Sequence, residues 1–281
     1  LPISPLHALS PSSEQREPGG ENPNARNVEE APAVPEAPTP PDLSAPAHGN
    51  PQGELSSLAG LFLLLPAFAR LGLGGFLEDH PHLLEIGFPA RLLHHCAGRF
   101  GAGEDEPARR AVPIPEEGPH PFLAFAVPAA WLQGIAAGPL RVRRQAGEPG
   151  VRLLTDASGR LDLALWRGRA GKGVRDLLAH EAPGRGPAAP ARSALEIALE
   201  AWLIAARRWC RRRAGIGLAD LVQRPGQVIA TRTHLDVFLD PRQVEIRVRR
   251  AGLDLDPGWV PWLGRVVRFH YEQPLEIFHA G

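Results

Sequence analysis

An α+β fold, a helical layer packed with a small antiparallel β unit at the C-terminus and preceded by a disordered Pro-rich tail, follows from three observations. Residues 223–272 contain three segments of alternating apolar and polar residues separated by turn signals. Residues 54–100 and 193–214 carry dense apolar positions at helical spacing. Residues 1–53 hold few large apolar side chains and are rich in Pro, Glu, Ser and Ala.

The tail cannot bury enough surface to offset an ordering cost of roughly 1–2 kcal/mol per residue, so 1–53 is expected to be disordered. Its run APAVPEAPTPPDLSAPA reads as a solvated linker, with a polyproline ligand as the alternative. Seven acidic residues against Arg16 and Arg26 give this tail a net charge of −5, which leaves +5 on the rest of a formally neutral chain.

Residues 54–135 form the helical segment. Ser56 or Ser57 is expected to cap its first turn. Pro66 should kink or divide the first helix, because it lacks an N–H and its ring clashes with the preceding turn. Gly72, Gly74 and Gly75 close it. A second helix is expected over 82–100, with Leu83, Ile86 or Gly87, Ala90, Leu93 and Ala97 on one stripe. A Pro-rich charged loop fills 104–121, and the state of 122–135 stays open.

Residues 136–192 are expected to contain a short β meander and a Gly/Pro-rich loop. The strands are 140–144, 151–155 and 161–166, joined by GEPG and DASG turns. From 168 to 192 Gly, Pro and Ala dominate, which predicts a mobile loop. Residues 193–222 are an amphipathic helix opened by the capping box S-A-L-E. Leu195, Leu199, Trp202, Ala206 and Trp209 form its core stripe, and its arginine-rich end complements the helix dipole. Residues 223–281 are the C-terminal antiparallel β unit, with strands 228–239, 244–250 and 265–272.

Lys172 is the one lysine among 31 basic residues and methionine is absent, a bias of GC-rich coding sequence. Two cysteines are too few for a disulfide framework and read as reduced, buried thiols, so a cytoplasmic protein is expected. The apolar run 58–69 falls short of the roughly 20 residues a bilayer span needs. No secretory signal is expected at the N-terminus.

Candidate sites are few, and no cofactor is implied. His80, His82, His94, His95 and Cys96 offer metal-ligand types, but His94 and His95 point about 100° apart on a helix, so capping or surface roles are expected. His234, Asp236 and His270 would suit iron or a similar metal if the first and last C-terminal strands are neighbours, yet alternation alone puts them on the polar face. Asp254, Asp256 and Gly258 read as a turn, not a calcium loop. GRAGKG at 168–173 lacks the spacing of a phosphate loop. Arg207, Arg208, Arg211, Arg212 and Arg213, around Trp209, raise a nucleic-acid alternative. No nucleophile elbow, phosphate loop or dinucleotide fingerprint is present, so enzymatic activity has no positive support.

The phrases RPGQVIATRTHLDVFLD and VEIRVRRAGLDLDPGWVPWLGRVVRFHYE, with GLFLLLPAFARLGL upstream, resemble proteins encoded in gene clusters for bacterial contractile injection systems, the phage-tail-like particles. The likeness is strongest over 223–272, weaker over 54–100, and does not reach the tail. It implies a non-enzymatic assembly or accessory role whose partners are protein components of a larger particle. It carries over no site residues, and the long helical middle of a tape-measure component is absent. On this reading Arg247, Arg249, Arg250 and Trp262 are the expected interaction residues, since arginine and tryptophan are favoured interface anchors. A nucleic-acid binder and a metal-dependent enzyme remain the alternatives.

Overall fold

A computed structural model describes residues 53–115, 123–243 and 245–272. The expected tail lies outside them except for Gly53, as do Val244 and part of the Pro-rich loop. The fold class is α+β, as the sequence predicts.

Strand β1 (Glu54–Ser56) leads into a 3-10 helix, Ala59–Leu64, and then α1 (Leu65–Arg70). Pro66 sits in the first turn of α1, where a missing N–H leaves no bond unmade, and there the chain changes from 3-10 to α geometry. Ser56 and Ser57 do not cap this helix. Both hydroxyls donate to Glu106, and Ser56 Oγ accepts from Leu58 N at 3.0 Å.

After α2 (Leu73–Asp79), the single helix expected over 82–100 is two: α3 (His82–Glu85) and α4 (Phe88–Gly98). Gly87 divides them at φ +65°, a left-handed conformation that costs other residues steric energy. A Cβ there would lie 2.3 Å from Pro115 Cδ. The stripe Leu83, Gly87, Ala90, Leu93 and Ala97 is nonetheless buried throughout. The short α5 (Pro107–Arg110) follows.

The middle of the chain builds one sheet, of order β2-β5-β4-β3-β6. Strands β3 (Arg141–Arg144), β4 (Val151–Thr155) and β5 (Asp162–Arg167) form the expected antiparallel meander. Strand β2 (Phe125–Ala126) adds at one edge and β6 (Gly184–Arg185) at the other. A 3-10 turn, Ala129–Gln133, lies between β2 and β3. The loop expected at 168–192 instead contains a helix, α6 (Lys172–His180), and the short strand β6. Val174, Leu177 and Leu178, at helical spacing, supply the apolar face of α6.

Helix α7 (Ala194–Trp209) is opened by Ser193 with both halves of the capping box formed, and it continues as a π-helical stretch, Cys210–Ala214. It packs on α1 and α4 and, on its other side, on β5. Trp202 is fully buried at its centre, with Phe68, Phe76 and Trp131 rings 6.3, 5.2 and 4.8 Å away. Cys96 and Cys210 are buried and unpaired.

A short α8 (Leu218–Val222) precedes the second sheet, of order β1-β7-β8-β10-β9. The expected strand 228–239 is a pair, β7 (Gly226–Ala230) and β8 (His234–Leu239), which pair antiparallel across the turn at 231–233. The expected strand at 244–250 is helical: α9 (Ile246–Arg250) buries Val248 and leaves Ile246 63% exposed. Strands β9 (Gly258–Val260) and β10 (Arg265–Tyr271) complete the sheet, and β10 runs parallel to β8, His234 opposite Val266 and Leu239 opposite Tyr271. The unit is therefore mixed, not wholly antiparallel. Parallel neighbours need a crossover, and residues 240–264 are used to make it. The 3-10 helix Ala59–Leu64 lies against β7 and β8, so the helices form a layer with a sheet on either side.

Among the described residues no single helix is long and apolar enough to cross a membrane; the apolar pair Ala59–Arg70 and Leu73–Asp79 bends by 65°.

Candidate functional site

The metal-ligand types of the helical segment diverge. His80 Nδ1 lies 2.8 Å from Phe76 O, and burial lowers its pKa. His94 Nε2 sits 2.9 and 2.8 Å from the carbonyls of Arg109 and Val112, while Arg109 Nε donates to its Nδ1 at 3.3 Å. A ring that accepts on one nitrogen is neutral, which agrees with a pKa lowered chiefly by desolvation. His95 Nε2 lies 2.9 Å from Glu200, and the enclosed Cys96 thiol is pushed up by desolvation. Among the described residues no group of three or more His, Cys, Asp or Glu side chains is placed to hold a metal ion.

The parallel pairing of β8 and β10 does bring two of the three C-terminal candidates together. His270 Nε2 lies 2.9 Å from Asp236 Oδ1, and its ring stacks on Phe238 with centroids 4.5 Å apart. His234 stands opposite Val266 at the strand's start and bonds Thr233 Oγ1 through Nδ1 at 2.9 Å. Asp254 and Asp256 serve the fold: Asp254 accepts from Tyr271 OH at 3.1 Å and pairs with Arg249, and Asp256 accepts from Phe269 N at 2.7 Å. The Tyr271 hydroxyl is correspondingly pushed up, by desolvation first and then by Asp254.

The arginines of the α7 end divide into fastened and exposed groups. Arg208 is 18% exposed and pairs with the fully buried Asp156 at 2.5 Å. Arg212 donates to Gly134 O. Arg207, Arg211 and Arg213 are exposed. On the C-terminal unit Arg247 donates to Gly215 O at 2.8 Å and pairs with Glu245, and Arg249 lies 5.3 Å from the Tyr271 ring centroid while held by Asp254. Arg250 is exposed and Trp262 is half-buried.

No pattern in the sequence singles out the side chains beside Trp262. Leu255 is 64% and Trp259 59% exposed, and with Ile246 they make three of the five exposed large hydrophobic residues among the described ones. That concentration places the bare apolar surface on the C-terminal unit. Leu255, Pro257, Trp259, Pro261 and Trp262 line a groove of about 290 Å³ whose other wall is α1 at Leu65, Pro66, Ala69 and Arg70. Arg70 fixes that wall, donating to Ala251 O and to Gly252 O, the latter at 3.1 Å, and lying 5.6 Å from the Trp209 ring centroid. The signal available in sequence is Trp259 itself, which directly follows an Asp-Pro-Gly turn and is the central residue of β9. Such a groove accepts apolar side chains, and the charged groups lining it, Arg70 and Asp256, bond to backbone groups of the chain.

Comparison with family models, with curated proteins and with solved structures gives no match to this chain.

Proposed function

We propose that this chain is a non-enzymatic assembly or accessory component that works through protein–protein contacts, with the groove around Trp259 and Trp262 as its docking surface. The observation that carries this reading is the exposed indole of Trp259 beside Leu255 and Trp262. A large aromatic left in water on a short strand costs free energy that a partner recovers on burial, and tryptophan is among the commonest interface anchors. Arg70, in the α1 wall of the groove, supplies its cationic edge. The likeness of residues 223–272 to proteins of contractile injection clusters names the setting: the partners are protein components of a phage-tail-like particle.

The test is co-purification with sheath, tube and baseplate components under conditions where particles form, using the wild-type chain and Trp259→Ala. Retention of wild type and its loss in Trp259→Ala, with thermal stability unchanged, supports the reading. Recovery of the wild type only as a lone monomer, or retention unaffected by Trp259→Ala and by Trp262→Ala, sinks it.

A further inference from the structure

We propose that the arginine-lined cleft between α7 and the β4–β5 turn binds a compact small molecule carrying two or more phosphate groups. The cleft has a volume of about 860 Å³, within the range of small-molecule sites. Its floor is the outer face of α7 and of its π-helical continuation, where Glu200, Ile204, Arg207 and Arg211 follow one another at four-, three- and four-residue spacing. Its far wall is Gly159 and Arg160 of the β4–β5 turn and, from β3, Arg143.

Several of these guanidiniums are held in place before any ligand arrives. Arg208 Nη1 is bound to Asp156 and to Ile135 O at 2.9 Å, and its Nη2 to Ser158 Oγ at 3.0 Å. Arg192 donates to Asp162 at 2.6 Å. Arg143 donates to Pro187 O and Ala188 O at 2.9 and 3.2 Å, and its Nη1 lies 3.8 Å from where a Cβ on Gly159 would stand. Such fixed cations set a positive potential without losing side-chain entropy on binding. The carboxylates facing the cleft are occupied: Glu200 accepts from His95 and Arg99, and Glu196 from Ser193 N and Oγ.

Against seven arginines stand those two glutamates and the buried Asp156 and Asp162, which leaves a surplus of three positive charges. Arg160, Arg207 and Arg211 are exposed, with no carboxylate partner among the described residues. Arg207, near the end of α7, and Arg211, in the π-helical stretch that continues it, are four residues apart and line the same cleft, so two forks can grip different phosphates of one ligand. The choice of ligand rests on what the lining lacks: His95 supplies its one ring, already engaged by Glu200, and no Phe, Tyr or Trp offers a platform for stacked bases. Recognition is therefore of phosphate charge and not of a nucleobase.

Isothermal titration at physiological ionic strength, with tripolyphosphate as the probe, tests this. Saturable one-to-one binding is expected, weakened about tenfold or more in Arg207→Gln/Arg211→Gln and in Arg160→Gln, and unchanged in Arg250→Gln outside the cleft. All three sites are exposed, so circular dichroism should show folded variants. Inorganic phosphate should bind at least about tenfold more weakly than tripolyphosphate, because it engages fewer arginines. Absence of saturable tripolyphosphate binding overturns the proposal, as does equal loss in Arg250→Gln. Tighter binding of a single-stranded oligonucleotide or of polyglutamate, abolished in the double variant, replaces the proposed ligand with a macromolecular polyanion. The docking reading stands or falls separately, since none of these variants touches the Trp259 groove.

Discussion

Replacing Arg208 by alanine should destabilise the protein by about 3–4 kcal/mol, although Arg208 belongs to a run of arginines that looks like a solvated helix end. The guanidinium makes three bonds: to Asp156 at 2.5 Å, Ser158 Oγ at 3.0 Å and Ile135 O at 2.9 Å. A charge-assisted bond contributes roughly 1.5–3 kcal/mol and each neutral acceptor about 1 kcal/mol. Removing one partner of a buried ion pair costs about 3–5 kcal/mol because the other charge is stranded. Asp156 keeps Ser158 Oγ at 2.5 Å and Ala137 N at 3.2 Å, so the lower part of that range applies.

For a chain of this size 1 kcal/mol corresponds to about 2–4 °C in melting temperature, which gives a fall of about 6–16 °C. Urea unfolding followed by tryptophan fluorescence measures the same loss directly, since Trp131 and Trp202 are in the core. Asp156→Asn in the Arg208→Ala background should recover about 1–2 kcal/mol by removing the stranded charge. Arg207→Ala, one residue away and exposed, should change stability by less than about 0.5 kcal/mol. A loss below about 1 kcal/mol in Arg208→Ala, or no recovery in the double variant, would refute the assignment of Arg208 as the tie between α7 and the β4–β5 turn.

Three further outcomes follow from the core and the helix layer. His95 first, then Arg99, hold the Glu200 carboxyl at about 2 against the opposing effect of burial. A depressed folded pKa contributes stability above the ordinary value of 4.5 that is lost as pH falls toward 2. After allowing for screening at the half-exposed Arg99, about 1–2 kcal/mol should disappear between those pH values, and Glu200→Gln should flatten that part of a stability–pH curve. Trp202→Ala opens a large cavity among Phe68, Phe76 and Trp131 and should cost about 3–5 kcal/mol in urea unfolding, with Trp202→Phe retaining a substantial part. Gly87→Ala should lower stability by more than about 1 kcal/mol, because the left-handed backbone and the Pro115 ring both oppose a Cβ; a neutral effect in a thermal melt would argue against the α3–α4 break.

Local chemistry was readable from the sequence and long-range chemistry was not. Ser193 and Glu196 announce the start of α7 because both partners of the capping box lie within four residues. The GEPG and DASG turns likewise set the register of β3, β4 and β5. Helix α9 was misread because IRVRR holds two apolar residues two apart, the spacing of a strand, and only packing decides that Val248 goes in while Ile246 stays out. Helix α6 was hidden by its Gly and Ala neighbours. The parallel union of β8 with β10 depends on a crossover that no local pattern encodes, and it is what brings His270 to Asp236 instead of to His234. The arginine cleft draws on four separated stretches, at residues 99, 143–160, 192 and 207–211, so no window of sequence displays it. In the Trp259 groove, Trp262 can be singled out beforehand, while the α1 wall cannot.

The pairing of Glu54 with Val228 has a consequence for biosynthesis. At about 5–20 residues per second, the two partners leave the ribosome roughly 10–35 s apart. Throughout that interval Leu61, Phe62, Leu63 and Leu64 have been translated while β7 and β8, which cover them, have not. A nascent chain of this kind is a client for chaperones that shield apolar segments, and a nonsense codon before residue 226 would release a product whose stickiest helix has no lid.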